Sequence, residues 1–286
     1  VLCRSLDRTR SFDLFGALTV TAGATLLVYT LVQGPEIGWT SSSIIISAVL
    51  SILLLALFIW IELRSKDPLM PIHLLRNRNL ISGMTTTFIF MGTFGALPYF
   101  LTVLFQSVQL FSALQTGLAF LVPAISIAIG TQLGAKLVTH FQTRSTLIIG
   151  FIIGIIGTLL LTIGGHQDSS YWSILPGLII SGIGQGITWT SMWIVASMGV
   201  ADKEQGVASA MASTALNIGN AVRMAILIAV ANIGTEGKTG ATLISTLASG
   251  GRTVFYLAAV GMLVGLIVAV TLPRSKTKKI KQELAS

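Results

Sequence analysis

The sequence predicts an all-α integral membrane protein with eight transmembrane helices. Its 286 residues are 53% hydrophobic and only 10% charged, against the ~25% charge of an ordinary soluble domain. The charges are bunched between long apolar runs instead of being spread along helix faces, so lipid is the solvent for most of the chain. Eight of those runs reach the roughly 20 residues that cross ~30 Å of hydrocarbon at 1.5 Å per residue.

In chain order the spans are 13–32, 43–62, 80–105, 113–135, 145–164, 173–198, 206–232 and 253–272. The first opens at Asp13 and stops at Gln33-Gly34-Pro35-Glu36; the second runs to Glu62 and is closed by Asp67-Pro68. Asp13 and Glu62 lie at helix ends, where solvated capping is expected, Asp13 favoured by a helix N-terminus. Spans three and four contain Ser, Thr and Gln, whereas the fifth, from Thr146 to Gly164, has no ionisable side chain. Span six is glycine-rich around Gly182-x-Gly184-x-Gly186, and span seven carries a polar stripe. Span eight is close to pure Leu, Val, Ala, Gly and Phe.

With both termini on one side, that side holds 15 of the 18 Lys and Arg residues. They lie before span one (Arg4, Arg8, Arg10), after span two (Arg64 to Arg78), around Lys136 and Arg144, at Lys203, and in the tail from Arg274 to Lys281. The other side holds Lys238 and Arg252, and Arg223 falls inside a span. By the positive-inside rule both termini are cytoplasmic. The net charge of +8 is thereby explained by topology, and nucleic-acid binding is not needed because no basic patch is interleaved with aromatics. The lone Cys3 excludes a disulfide framework, and His73, His140 and His166 belong to separate loops, so no metal or acid–base cluster is expected and an enzyme is disfavoured. No cofactor is expected.

Polarity divides the last six helices into four inner ones and two outer ones, 145–164 and 253–272, a three-helix period. A faint echo supports it: Gln115-Thr116-Gly117-Leu118-Ala119 and Glu204-Gln205-Gly206-Val207-Ala208 open helices that start on opposite sides, as two inverted three-helix repeats require. The pairs Gly130/Gly134, Gly150/Gly154, Gly182/Gly186 and Gly261/Gly265 have the spacing that lets helix backbones approach closely. Gly182 and Gly186 either pack tightly or soften a helix that bends.

Ser209, Ser213, Asn217, Asn220 and Arg223 share an arc of about 120° on one helix face. They line a cavity or bond to neighbouring helices. Arg223 either lines that path or snorkels to the headgroups. Gln185, Thr188 and Met192, with Trp189 and Trp193 on the flank, offer a surface for flat lipophilic molecules, cations included. The substrate-cavity candidates are therefore Gln185, Thr188, Trp189, Met192, Ser213, Asn217, Asn220 and Arg223.

Several short motifs then carry a resemblance. Phe12-Asp13-Leu14-Phe15-Gly16, Gly38-Trp39, Glu62-Leu63-Arg64, Pro68-Leu69-Met70-Pro71 and Leu74-Leu75-Arg76-Asn77-Arg78-Asn79, with the Gly182 helix and Ala208-Ser209-Ala210-Met211, resemble the middle and end of fourteen-helix drug:proton antiporters of the major facilitator superfamily. The resemblance implies a cytoplasmic segment (1–12), a linker helix pair (13–62), a cytoplasmic loop (63–79), a six-helix C-terminal transporter bundle (80–272) and a basic cytoplasmic tail (273–286). The loop from Gly134 to Arg144 resembles the superfamily's cytoplasmic signature, with Thr139 where Asp is common, His140 where Arg is and Gln142 where Gly is. It implies conformational roles for Gly134 and Arg144, beside Gly182 and Gly186. The family's first six helices have no counterpart here, and the opening Val1 suggests a piece that starts mid-protein.

The implied activity is multidrug efflux by proton-coupled antiport across the plasma membrane. Its partners are the bilayer, a lipophilic small molecule, protons, and an N-terminal six-helix half or a second copy. The alternative is a truncated, non-transporting remnant or interaction protein.

Overall fold

The computed structural model describes residues 13–65, 70, 72–164, 170–232 and 240–272, nearly all of them helical. The expected cytoplasmic segment 1–12, with Cys3, and the basic tail 273–286 lie outside the described residues, as do Lys66, His166 and Lys238. The chain divides into two units, Val1–Arg76 and Asn77–Ser286.

The first unit is a helical hairpin of α1 (Leu14–Ile37) and α2 (Ser42–Arg64), followed by a 3-10 turn at Ile72–Arg76. Asp13 caps α1 by accepting the Gly16 N–H at 2.8 Å, in line with the expected role. Two polar links tie the helices: the Thr30 and Ser47 hydroxyls at 2.8 Å, and the Ser51 hydroxyl donating to the Gly23 carbonyl at 2.8 Å. In hydrocarbon such bonds and close packing hold helices together, because lipid tails compete for apolar contact. Glu62 departs from the solvated reading. It is 4% exposed and accepts the Met70 N–H at 3.1 Å; sequence position alone does not reveal that burial.

The second unit holds the remaining helices. The third apolar stretch, Arg78–Val108, is not one regular helix. It comprises α3 (Arg78–Thr93), a 3-10 turn at Phe94–Ala96, α4 (Leu97–Val103) and a π-helical turn at Leu104–Val108. Pro98 at the start of α4 has no N–H to give to an α-helical bond, which accounts for the break. Then come α5 (Ala113–Ala119), α6 (Leu121–Gly164), α7 (Tyr171–Ser197), α8 (Gln205–Asn232) and α9 (Gly240–Thr271). A Ser112/Gln115 capping box starts α5.

The 44 residues of α6 are interrupted at Gln142, whose φ of 68° and ψ of 154° are not helical. The contacts of α6 with α7 show what this break does. Before Gln142, Gly130 and Gly134 lie against Ile183 and Ile187, running parallel to α7; after it, Gly150 and Gly157 lie against Thr188 and Ser181, running antiparallel. The chain thus reverses at Gln142, and the loop expected between spans four and five shrinks to a tight turn.

Six stretches among the described residues are long and apolar enough to cross a membrane, the fourth being the 51-residue Ala113–Ile163.

Asn77 positions the start of α3. Its Oδ1 accepts the N–H groups of Asn79 (2.9 Å) and Leu80 (3.4 Å), while its Nδ2 donates to the carbonyls of Met198 (3.2 Å) and Gly199 (3.0 Å) beyond α7. Asn77→Ala is expected to lower stability by about 1–2 kcal/mol, read as a fall in thermal midpoint in detergent. Asn77→Asp, which keeps the cap and loses both donors, should fall in between.

Candidate functional site

Two glycines fix how near α3 stands to its neighbours. A Cβ on Gly83 would fall 2.5 Å from the Ala196 Cα on α7, and one on Gly219 of α8 would fall 2.4 Å from the Phe88 carbonyl oxygen. Thr87 adds a bond from its hydroxyl to the Ala212 carbonyl at 3.1 Å. With α9 closing the third side, α3, α8 and α9 enclose a cavity of about 310 Å³. Its walls are apolar apart from Thr93 and Arg223. Arg223 donates through Nη1 to the Gly95 carbonyl and through Nη2 to the Asn220 side-chain oxygen. Gly95 belongs to the 3-10 turn of the third stretch, where the lost α-helical register frees a carbonyl for an outside donor. Arg223 is thereby tied to the third stretch and to its own helix.

The rest of the α8 stripe separates into pairs. Asn217 is exposed and donates to the carbonyl of the half-buried Ser213 at 3.0 Å, whereas Asn220 turns to Arg223.

On α7 the sequence candidates part company. Thr188 and Met192 are fully buried. The Thr188 hydroxyl donates to the Gly184 carbonyl at 2.8 Å and lies against Gly150. Trp189 is 40% exposed and stands with its ring 5.4 Å from Phe90 and 5.9 Å from Trp193, an aromatic ledge shared by α3 and α7. Gln185 faces elsewhere, into a cavity of about 180 Å³ bounded by Leu97, Pro98, Phe120 and Pro123. The eight candidates therefore do not form one cluster. Asn220 and Arg223 meet each other, as do Ser213 and Asn217; Trp189 and Gln185 stand in separate surroundings.

The four conformational candidates all sit at helix contacts. A Cβ on Gly182 would lie 2.7 Å from the Ser126 Cβ, and one on Gly186 2.2 Å from the Ile127 carbonyl oxygen; Gly134 touches Ile187. Arg144, just after the reversal of α6, donates to the Val270 carbonyl in the last turn of α9, where a cation suits the helix dipole.

The Major Facilitator Superfamily profile matches residues 11–223. The chain belongs to the major facilitator superfamily. Its long apolar helices are those expected of a multi-pass membrane protein of that superfamily. Three similar proteins show the range within the superfamily. They are the multidrug resistance protein Stp of Mycobacterium tuberculosis (31% identical; 77% of this chain, 41% of the relative), the puromycin resistance protein pur8 of Streptomyces alboniger (30%; 93% and 55%) and the cephamycin export protein CmcT of Amycolatopsis lactamdurans (30%; 91% and 53%). The chain spans about half the length of these curated relatives.

The cavity beside Arg223 was not legible as a whole in this superfamily member. Gly92, Gly219 and Gly261 line it, one from each helix, and only their convergence in space gives the three a common meaning.

Proposed function

We propose that the chain is the linker pair and C-terminal bundle of a multidrug exporter that exchanges protons for lipophilic compounds across the plasma membrane, with both termini cytoplasmic. The reading rests most on similarity to proteins named for drug resistance and antibiotic export. Eight crossings follow from counting the two antiparallel arms of Ala113–Ile163 separately and adding α8, which is long enough to span despite its polar stripe. Three-helix inverted repeats fit this count.

In the bundle, Trp189 and Trp193, backed by the buried Phe90, would hold the drug by stacking and cation–π attraction. Asn217 and Ser213 would supply polar contacts, and Gly134, Arg144, Gly182 and Gly186 would govern helix rearrangement. Helices α3 to α9 contain no Asp or Glu. The proton-titrating group is accordingly assigned to an N-terminal six-helix half.

Proteoliposomes with an imposed pH gradient and a fluorescent cationic dye test this. Gradient-dependent dye movement by the chain joined to its six-helix half is expected; a chain that moves no dye in either form would be a non-transporting remnant or interaction protein. In the active form Trp189→Ala should reduce dye export about 2- to 30-fold, the range of a lost cation–π contact of about 0.5–2 kcal/mol, and Trp189→Phe should retain most of it.

A further inference from the structure

We propose that the cavity between α3, α8 and α9 is a binding site for a lipophilic carboxylic acid that enters sideways from the bilayer and seats its carboxyl group on Arg223. Three observations carry this.

The first is the charge. A guanidinium has five N–H donors. Two of those on Arg223 are used, and both acceptors are neutral oxygens; its Nε is buried without a partner. A cation held in apolar walls is costly until an opposite charge or further acceptors face it. A carboxyl group on the ligand supplies both, and it matches the planar guanidinium.

The second is the shape and the entrance. At about 310 Å³ the cavity is at the low end of the ~300–1,000 Å³ of small-molecule sites. Ile226 on α8 and Leu257, Val260 and Val264 on α9 line it and are 43–56% exposed. The mouth therefore opens between two apolar helix surfaces, and an apolar chain reaches it from lipid.

The third is depth. Arg223 is nine residues from Asn232 at the end of α8, about 13 Å along the axis, and Gly95 is thirteen residues from Val108, about 20 Å. A phosphodiester stays ionised and is held at headgroup level, whereas the Arg223 side chain faces the apolar cavity and is bonded to Gly95 within the bundle. A carboxylic acid can enter hydrocarbon in its neutral form and release its proton to interfacial water as the carboxylate pairs with Arg223, so a free acid, not an acidic phospholipid, is the matching occupant.

The purified chain in phosphatidylcholine nanodiscs is photolabelled with diazirine-bearing palmitic acid, with its methyl ester, and with a diazirine-bearing phosphatidylglycerol, and the adducts are mapped by mass spectrometry. The acid is expected to label the Val254–Val264 region about 10-fold more than the ester, equivalent to ~1.4 kcal/mol. Arg223→Gln should bring the acid to the ester's level, and Arg223→Lys, which keeps the charge but not the planar fork, should fall between the two. Val260→Trp, an exposed position at the mouth, should block labelling with Arg223 intact. Equal labelling by acid and ester overturns the site, as does undiminished labelling of Arg223→Gln; preferential labelling by phosphatidylglycerol overturns the free acid as occupant. The acid-to-ester ratio on the unaltered chain and the Val260→Trp result decide the matter even if Arg223→Gln does not fold.

Discussion

Gly186→Leu is expected to prevent α6 and α7 from packing. Even a Cβ at this position would sit 2.2 Å from the Ile127 carbonyl oxygen and 2.5 Å from the Thr131 nitrogen. Those are backbone atoms, so no rotamer change relieves the clash and the helices must move apart. Separation would lengthen the bond from the Thr190 hydroxyl to the Thr131 carbonyl, now 3.2 Å, and loosen Gly182 against Ser126. Overpacking costs about 1–3 kcal/mol in cores that can adjust, and here the obstacle is two helix backbones, so the loss should be at the top of that range or above. Size-exclusion chromatography of the detergent-solubilised chain should show aggregate in place of a monodisperse peak. Gly186→Ala should lower the thermal midpoint, whereas Gly117→Ala, with open space around its Cβ, should hold or raise it by the helix preference of Ala, up to about 1 kcal/mol. If bending were the sole use of Gly186, Ala would slow transport and leave the midpoint alone.

Gln142→Gly is expected to stabilise the chain. The φ of 68° with ψ of 154° at Gln142 is a region almost reserved for glycine, and side-chain-bearing residues held there cost about 1–3 kcal/mol. Gly releases that cost and gives back part of it through the extra freedom of the unfolded chain. A net rise of about 1 kcal/mol should appear as a higher thermal midpoint, and Gln142→Val, β-branched at the same backbone angles, should lower it. A midpoint unchanged in both variants would mean that the chain does not reverse through this conformation.

These two positions also show how far the sequence could be read. The superfamily resemblance places a Gly where Gln142 stands, so a turn demanding glycine was foreshadowed, yet the spacing of apolar runs predicted a nine-residue loop there. Helix periodicity continues through polar residues such as Lys136 and His140, and a single backbone reversal leaves no mark on it. Glycine spacing on α7 anticipated close packing, because small-xxx-small pairs act locally on one helix face. The break at Pro98 and the burial of Glu62 next to Met70 are local, the first masked by an unbroken apolar run and the second by a helix-end position. The cavity beside Arg223 depends on which distant backbones pass by, and no one-dimensional pattern encodes that. For the same reason Thr188 and Met192, polar and soft residues on a plausible face, lie fully buried between helices while Trp189 stays accessible.

The reversal at Gln142 has a consequence for the order of assembly during synthesis. Gly130 and Gly134 on the first arm of α6, and Gly150 and Gly157 on the second, make their closest approaches to α7. When the second arm emerges, the surface that both arms are shaped for has not been made; at about 5–20 residues per second, α7 follows seconds later. Until then four backbone-exposing glycine faces stand open to lipid or to whatever helix is nearest. An insertion factor or a neighbouring chain that occupied them in that interval would compete directly with α7, and lengthening the segment between α6 and α7 should widen the interval.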